Sequence, residues 1–186
     1  MRRSTIFQFL NRQAVLTGNK VRLRPRCLED AADQYRWRRD EELCSLDASV
    51  PTSFSFGEFL DRYSVELEYP GLTCTWAIDT LDGRHIGECS LFNLDLLSNT
   101  AELGILIGEK EFWGLGYGTD AINVLLSDIF ATSDLKRLVL RTLDWNTRAQ
   151  KCFEKCGFAA CGAVSCGSYQ FTVMERVRQP APENVQ

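Results

Sequence analysis

Histidine is almost absent from this sequence, because His85 is the only one among 186 residues. None of the eight cysteines belongs to a C-x-x-C pair, so the spacing typical of zinc sites is missing. No apolar run approaches the length of a membrane span, and no block of lysine and arginine offers a surface for nucleic acid. With a formal net charge of −4, the chain is predicted to bind no metal, no nucleic acid and no membrane.

The cysteines that lie closest together are Cys152, Cys156, Cys161 and Cys166. We interpret them as small, buried apolar side chains in a reducing compartment, with a metal site or a redox switch as the alternative. The first residues resemble a signal peptide, but their apolar core is short, is interrupted by Gln8 and precedes no cleavage site. We therefore predict a cytoplasmic protein, either a monomer or a homodimer.

The length suits one α/β domain over residues 1–186, with an extra strand or a loose arm at 1–19 and a frayed tail at 179–186. Apolar spacing predicts the order β-α-α-β-β-β-α-β-α-β-β, with a looser stretch around Ser45 and Pro51 between the first two helices. The predicted strands are Lys20–Arg26, Thr73–Thr80, Arg84–Asp95, Thr100–Gly108, Arg137–Leu143, Phe158–Ala163 and Tyr169–Val177. A strand–helix–strand unit after antiparallel strands implies a mixed sheet, because the crossover needs a parallel partner.

A glycine-rich turn, Trp113-Gly114-Leu115-Gly116-Tyr117-Gly118, stands between a predicted strand and a strongly amphipathic helix. Glycines permit a tight turn, and the free N–H groups at a helix start favour a phosphate anion. A plain structural turn is one alternative. A dinucleotide-binding turn is another, but its third glycine would come one residue later. A nucleoside triphosphate loop would need Gly-Lys-Ser/Thr, which is missing.

Two stretches together resemble a known family. Residues 100–121, which include the glycine turn, are similar to the acetyl-CoA-binding motif of the GNAT N-acetyltransferase superfamily. Asn146-Thr147-Arg148-Ala149-Gln150-Lys151-Cys152-Phe153-Glu154-Lys155-Cys156-Gly157-Phe158 resembles the second motif of the branch that contains the ribosomal-protein N-terminal acetyltransferases. Residues 16–31 are similar to that branch's first strand and helix. The resemblance covers roughly residues 16–178.

The resemblance implies a GNAT fold of the α/β (α+β) class, a mixed and mostly antiparallel sheet flanked by helices. The sheet would be splayed between its fourth and fifth predicted strands, 100–108 and 137–143, and the pantetheine arm of acetyl-CoA would lie in the gap. Asn146 and Phe153 would flank this arm, although helix capping and core packing are the alternatives for them. The implied cofactor-binding residues are Ile105, Leu106, Ile107, Trp113, Gly114, Leu115, Gly116, Tyr117, Gly118, Thr119, Asn146 and Phe153.

The implied activity is acetyl transfer from acetyl-CoA to a primary amine, on a small molecule or a protein N-terminus. The attacking nitrogen must lose a proton, so a base or a water path is required. Glu102 is the candidate base, since the family often has a carboxylate at this position. The alternative is an exposed strand carboxylate. Glu88 and Asp95 are lesser candidates for the base.

Two residues depart from the family pattern. Phe153 replaces the usual tyrosine, whose hydroxyl can protonate the departing thiolate, so that water, Tyr117 or Tyr169 would have to supply this proton. Leu115 stands where a basic residue is common, which removes one charge near the phosphates. Phe153 also raises a second hypothesis for the function, a non-catalytic module that binds acetyl-CoA as a sensor or docks on a partner.

The acceptor site in such folds lies under the helical segment 28–68. This segment is rich in carboxylates, which would suit a cationic amine, although solvated helix faces have the same composition. Trp37, Phe54, Phe56 and Phe59 are expected in the core. The carboxylates are Asp40, Glu41, Glu42, Asp47, Glu58, Asp61, Glu66 and Glu68.

Overall fold

The structure is a computed structural model that describes residues 14–179. The predicted loose arm and frayed tail therefore lie largely outside the described residues, although Leu16–Thr17 does form a short strand. The strands are β1 (Leu16–Thr17), β2 (Val21–Pro25), β3 (Cys74–Thr80), β4 (His85–Asp95), β5 (Thr100–Ile107), β6 (Arg137–Leu143), β7 (Ala159–Cys166) and β8 (Tyr169–Val177). The helices are α1 (Ala31–Trp37), α2 (Glu41–Leu46), α3 (Phe56–Glu68), α4 (Tyr117–Thr132) and α5 (Thr147–Lys155).

The eight strands form one sheet in the order β1-β2-β3-β4-β5-β6-β8-β7. Every neighbouring pair is antiparallel except β5 and β6, which are parallel. The β5–β6 pairing stops after three residue pairs, the last being Glu102 with Val139. Beyond Glu102 the two strands separate, so the predicted mixed and mostly antiparallel sheet, opened between these strands, is confirmed.

The helical segment differs from the sequence prediction in two places. The stretch predicted as loose contains α2, which begins after Asp40, whose carboxylate accepts the N–H groups of Glu42 and Leu43 at 3.0 Å each. An α2 of only six residues is too short for apolar periodicity to reveal it, so the capping aspartate was its only sequence signal. The helical segment was predicted to begin at Leu28, but Leu28–Asp30 forms a 3-10 turn and the α-helix starts at Ala31.

The main core lies between the sheet and α4, whose apolar stripe was predicted from its spacing. Ala121, Ile122, Leu125 and Ile129 on this stripe are almost fully buried. In β5, Ala101 and Leu103 point into this core, whereas Glu102 is only half-buried. The alternation of β5 therefore directs Glu102, Gly104 and Leu106 away from α4 and toward α1 and α2.

Asp120, in the first turn of α4, fastens this helix to the start of β2. Its carboxylate accepts three backbone N–H groups, from Asn19 at 3.2 Å, Lys20 at 2.8 Å and Val21 at 3.1 Å. A carboxylate in the first turn is also favoured by the helix dipole. Because the glycine turn immediately precedes α4, this contact fixes the turn relative to the sheet.

We expect Asp120→Ala to lower the free energy of unfolding by about 2–3 kcal/mol, since it leaves three backbone donors without their charged acceptor. Urea unfolding of the variant measures this loss. Asp61→Ala, on the exposed face of α3, is the matched control and should change stability by less than about 0.5 kcal/mol. Equal effects of the two substitutions would contradict this role of Asp120.

Trp37 and Glu109 hold the helical segment against the end of β5. The Trp37 side chain is buried, and its indole Nε1 donates to the Glu109 carboxylate at 2.8 Å. Arg36 and Arg84 also contact this carboxylate, at 2.7 and 2.9 Å. The buried charge is therefore compensated, and α1 and α2 are kept above the opening between β5 and β6. None of the helices within residues 14–179 is long and apolar enough to cross a membrane.

Candidate active site

Two adjoining cavities occupy the opening between β5 and β6. The first, the turn cavity, has a volume of about 300 Å³ and is lined by the glycine turn and by α5. The second, the strand cavity, has a volume of about 340 Å³ and lies against the β4 and β5 face that carries Glu88 and Glu102. The residues that line both cavities are Leu43, Leu46, Asp47, Ile105, Leu106, Asn146, Ala149 and Phe153. The two cavities therefore meet at a shared wall.

The glycine turn presents backbone N–H groups to the turn cavity. Gly114 and Gly116 adopt φ values of +74° and +86°, which only glycine takes without strain. Within residues 14–179, no N–H group from Gly114 to Thr119 donates to another part of the protein, and the first bonded amide is that of Asp120, which donates to Gly116 at 3.0 Å. A row of free donors at the start of a 16-residue helix can bind an anionic group.

Most of the predicted cofactor-binding residues of the turn line this cavity. They are Trp113, Gly114, Gly116, Tyr117, Gly118 and Thr119. Trp113 contributes a side wall, since its Nε1 donates to the Ile107 carbonyl at 2.6 Å and its ring lies 3.6 Å from the Arg148 guanidinium. The Leu115 side chain is exposed and does not line the cavity. At this residue only the backbone N–H group is available to bind a ligand.

Cationic side chains near the turn were not singled out from the sequence. Arg148, Lys151 and Lys155 of α5 line the turn cavity. Lys20 lies beside the turn, with its ammonium group 5.3 Å from the ring centre of Tyr117. The spacing of the three α5 residues, which puts them near one helix face, was a sequence signal for this arrangement. Together these cations supply the charge that Leu115 does not.

The predicted strand residues Ile105, Leu106 and Ile107 lie on the part of β5 that has separated from β6, and all three line the turn cavity. Asn146 caps α5, because its side-chain oxygen accepts the Ala149 N–H at 3.2 Å. Phe153 is buried and packs against Phe158. Since Asn146 and Phe153 also line both cavities, their structural roles coexist with positions at the shared wall.

The Glu102 carboxylate lines the strand cavity and already has protein partners. Arg141 contacts both of its oxygens, with Nε at 2.8 Å from one and a terminal nitrogen at 3.2 Å from the other, and Asn93 donates to the second oxygen at 2.9 Å. Glu88 lines the same cavity and lies 3.5 Å from Arg38. Asp95 accepts hydrogen bonds within its own turn, from Ser98 and Leu97, and lines neither cavity.

Asp47 is the only ionisable residue, among those described, that lines both cavities. It directly follows α2, and its carboxylate has no hydrogen-bond or ion-pair partner within residues 14–179. The Asp47 residue is exposed at the edge of the cleft, but the protein atoms around its carboxylate reduce hydration and raise the pKa of Asp47, and the charge of Arg38 offsets this increase only in part. A carboxylate with a raised pKa in a cleft is a candidate for proton transfer.

The tyrosines considered as proton donors occupy different places. Tyr117 lines the turn cavity and packs edge-on against Phe112 at 4.9 Å between ring centres. Tyr169 lies at the end of the β7–β8 hairpin, packs on Phe171 and lines neither cavity. None of the five tyrosines, all of which lie in the described part of the chain, lines the strand cavity.

Half of the eight carboxylates considered in the helical segment have protein partners elsewhere. Asp40 and Glu42 bind Lys110 at 2.8 and 2.7 Å, and Glu58 caps α3 through Ser55. Of the eight carboxylates considered, Asp47 alone lines the strand cavity. The aromatic prediction holds for buried Trp37 but was wrong for Phe54 and Phe56, which are exposed on the segment around the start of α3.

All eight cysteines are free thiols. Cys44, Cys74, Cys89 and Cys156 are buried, whereas Cys161 and Cys166 are exposed on β7. The interpretation as buried side chains therefore holds for Cys156 but was wrong for Cys161 and Cys166. Among the described residues, no group of three or more histidine, cysteine, aspartate or glutamate side chains is arranged to hold a metal ion. Cys152 lines the turn cavity, with its Sγ 3.3 Å from the Thr119 hydroxyl.

The fold and the cleft define an acetyltransferase. A sequence model described as an acetyltransferase (GNAT) domain matches residues 20–159, and the chain therefore belongs to the GNAT acetyltransferase family. It is 28% identical over 171 residues to human alpha/beta-tubulin-N-acetyltransferase 9, covering 80% of this chain and 77% of that protein. It is 34% identical over 88 residues to a putative ribosomal N-acetyltransferase of Bacillus subtilis, covering 47% and 48% of the two chains.

A solved structure of similar fold is a Vibrio cholerae spermidine N-acetyltransferase in complex with CoA and spermine. It superposes with a TM-score of 0.75 at 20% identity, over 85% of this chain and 95% of that one. The fold and the N-acetyltransferase class predicted from the sequence are thus confirmed.

Proposed function

We propose that this chain transfers an acetyl group from acetyl-CoA to a primary amine, on a small molecule or a protein N-terminus, by direct attack on the thioester. The observation that carries the proposal is the row of unbonded N–H groups at Gly114–Thr119, placed beside the separation of β5 and β6. Acetyl-CoA has a diphosphate that suits such donors and an extended arm that suits an unpaired strand edge.

In this arrangement the diphosphate binds to the glycine turn, and Lys20, Arg148 and Lys151 supply positive charge around it. The pantetheine arm runs along Ile105–Ile107 toward Asn146 and Phe153. The thioester then reaches the shared wall, and the acceptor amine enters from the strand cavity. Backbone N–H groups on the unpaired edge of β5 are the donors nearest to the carbonyl oxygen as it becomes negative.

The chemistry requires two proton transfers. The amine nitrogen attacks the thioester carbon, a C–N bond forms and the C–S bond breaks, while the nitrogen loses a proton and the departing thiolate gains one. Asp47 at the shared wall is positioned to accept the proton of the amine. Glu102 remains the sequence-based candidate, acting through water because its oxygens already bind Arg141 and Asn93. With Phe153 unable to donate, water returns the proton to the thiolate.

A turnover screen tests this proposal against the non-catalytic alternative. Acetyl-CoA is incubated with aminoglycosides, polyamines, amino acids and N-terminal peptides, and CoA is quantified by chromatography, since the exposed Cys161 and Cys166 would interfere with thiol reagents. We expect acceptor-dependent CoA release with an acetylated amine as the second product. Tight acetyl-CoA binding without release for any acceptor would favour a sensor or docking module.

We expect Glu102→Gln to lower kcat by about tenfold, as for the loss of one proton-transfer group, while the Kd for acetyl-CoA stays unchanged. Steady-state kinetics and calorimetry measure the two quantities. Glu175→Gln is a matched control, since Glu175 also binds an arginine of β6, Arg137, at 2.5 Å but lines neither cavity. Unchanged turnover in Glu102→Gln would remove Glu102 from the mechanism.

We also propose a reducing location, the cytoplasm, which the eight free thiols support. The sequence-based prediction of a monomer or homodimer stays a prediction, as does a single domain over residues 1–186.

A further inference from the structure

A third cavity, the arginine cavity, lies between α1, α3 and the segment 49–54. Its volume is about 440 Å³, which is larger than either cavity of the cleft. The side chains that matter for its chemistry are Arg26, Gln34, Arg38, Arg62, Tyr63 and Glu66. Neither the glycine turn nor the β5–β6 opening contributes to it, so the acetyl-transfer proposal leaves this cavity without a role.

Two buried polar groups of this cavity have no partner. Gln34 and Tyr63 are 2% and 4% exposed, and the Gln34 Nε2 and Tyr63 hydroxyl make no hydrogen bond within residues 14–179. Such groups are costly in a folded protein unless something binds them. Burial raises the pKa of the Tyr63 phenol, so its O–H group stays protonated and able to donate. Both groups are therefore unsatisfied donors in the wall of the cavity. Because each atom is covered from water in the unliganded protein, a ligand reaches them only when these side chains turn.

The charged side chains of the cavity also favour an anion. The Arg26 side chain is only 13% exposed, yet among the described residues its one carboxylate contact is Glu66 at 3.5 Å, and Glu66 is itself 63% exposed. Arg62 lies over the Phe54 ring at 4.0 Å and, among the described residues, has no carboxylate within ion-pair distance. Arg38 pairs with Glu88 outside this cavity, so Arg26 and Arg62 are its two weakly compensated guanidinium groups. A poorly compensated cation near the interior favours a bound anion.

We propose that the arginine cavity binds the carboxylate or phosphate group of a small organic anion. Arg26 and Arg62 pair with the charged group, since guanidinium groups bind such oxygens in a bidentate manner. The Gln34 amide and the Tyr63 hydroxyl donate to the remaining oxygens. Pro51, Phe54 and Phe59 form an apolar wall that accommodates a hydrocarbon or aromatic part of the ligand.

Arg38 and Ser49 line both this cavity and the strand cavity. The anion therefore has two possible sources, the far end of the acceptor amine itself or a separate small molecule. The chemistry of recognition is the same for both. The first source rests on the proposed acetyl transfer, whereas the second does not.

Binding of benzoate and phenyl phosphate to the unliganded protein, measured by calorimetry, tests the proposal without reference to turnover. Arg26→Gln should raise both Kd values by about tenfold or more, as expected for the loss of a charge-assisted hydrogen bond. Tyr63→Phe should raise them by about threefold without lowering Tm, because it removes a hydroxyl that has no protein partner. Arg22→Gln is the control, because Arg22 lies in β2, shortly before Arg26, and does not line the arginine cavity. It should change either Kd by less than about twofold.

Neutral benzamide should not bind measurably. Three results would each overturn the proposal and leave a water-filled cavity: equal effects of Arg26→Gln and Arg22→Gln, equal binding of benzamide, or no binding of either anion at millimolar concentration.

A kinetic comparison of 4-aminobutanoate with butylamine identifies the source of the anion. If the acceptor supplies the anion, Arg26→Gln raises KM for 4-aminobutanoate alone; if a separate molecule does, both KM values stay unchanged while the benzoate Kd rises.

Discussion

Replacing Gly116 with valine is expected to raise the Kd for acetyl-CoA by about 100-fold, which corresponds to about 2.7 kcal/mol. Gly116 holds φ at +86° at the entrance to α4, and a β-branched residue avoids this conformation. The turn would have to rearrange, and the N–H groups that point into the turn cavity would rotate away. The loss of one or two charge-assisted hydrogen bonds, at about 1.5–3 kcal/mol each, accounts for the expected change.

Gly83→Val provides the matched control for this experiment. Gly83 has a φ of +93° in the β3–β4 hairpin, so valine introduces comparable backbone strain there, and the residue lines neither cavity of the cleft. We expect both variants to lose a similar amount of stability in thermal unfolding, but only Gly116→Val to lose affinity in calorimetry. Unchanged affinity in Gly116→Val would mean that the glycine turn does not hold the diphosphate.

The parts of the site that the sequence predicts are those encoded in short continuous stretches. The glycine turn, the alternation of side chains along β5 and the Asn146 cap each depend on residues within one turn of a helix or one strand. Turn geometry, strand alternation and capping act over a few residues. The family resemblance then supplied the arrangement of these stretches around one cleft, which the separation of β5 from β6 after Glu102 confirms.

Long-range contacts escaped prediction because no local pattern records them. Lys20 lies next to Tyr117 although 97 positions separate them, and the Asp120 carboxylate is what brings the chain around Lys20 to this place. The partnership of Glu102 with Arg141 likewise joins two strands that are 39 positions apart. The position of Asp47 depends on α2, which is too short to leave a periodic signal. The charged groups of the cleft are thus brought together by the fold, and no short stretch of sequence predicts their contacts.

The largest effect on catalysis is expected at Asp47. Asp47→Asn should lower kcat/KM by about 100-fold, within the range for loss of a general base, without changing the Kd for acetyl-CoA. The parent enzyme should gain activity as pH rises through the raised pKa of Asp47, because the ionised carboxylate accepts the proton. This limb of the pH–rate profile should be missing in the variant. Glu42→Gln, in the adjacent α2 but bound to Lys110 on the surface, is the control and should leave the profile intact.

The stability of Asp47→Asn distinguishes a functional carboxylate from a structural one. Because desolvation raises the pKa of Asp47 in the folded state, the folded protein holds the proton more tightly than the unfolded chain, whose value is about 3.9. Stability is therefore lost as pH rises from that value through the folded pKa. The asparagine variant avoids this loss, so its Tm at pH 7 should equal or exceed that of the parent, and the difference should vanish near pH 3. A variant that lost both Tm and turnover would instead assign Asp47 to the scaffold, whereas one that kept its turnover would leave Glu102 as the base.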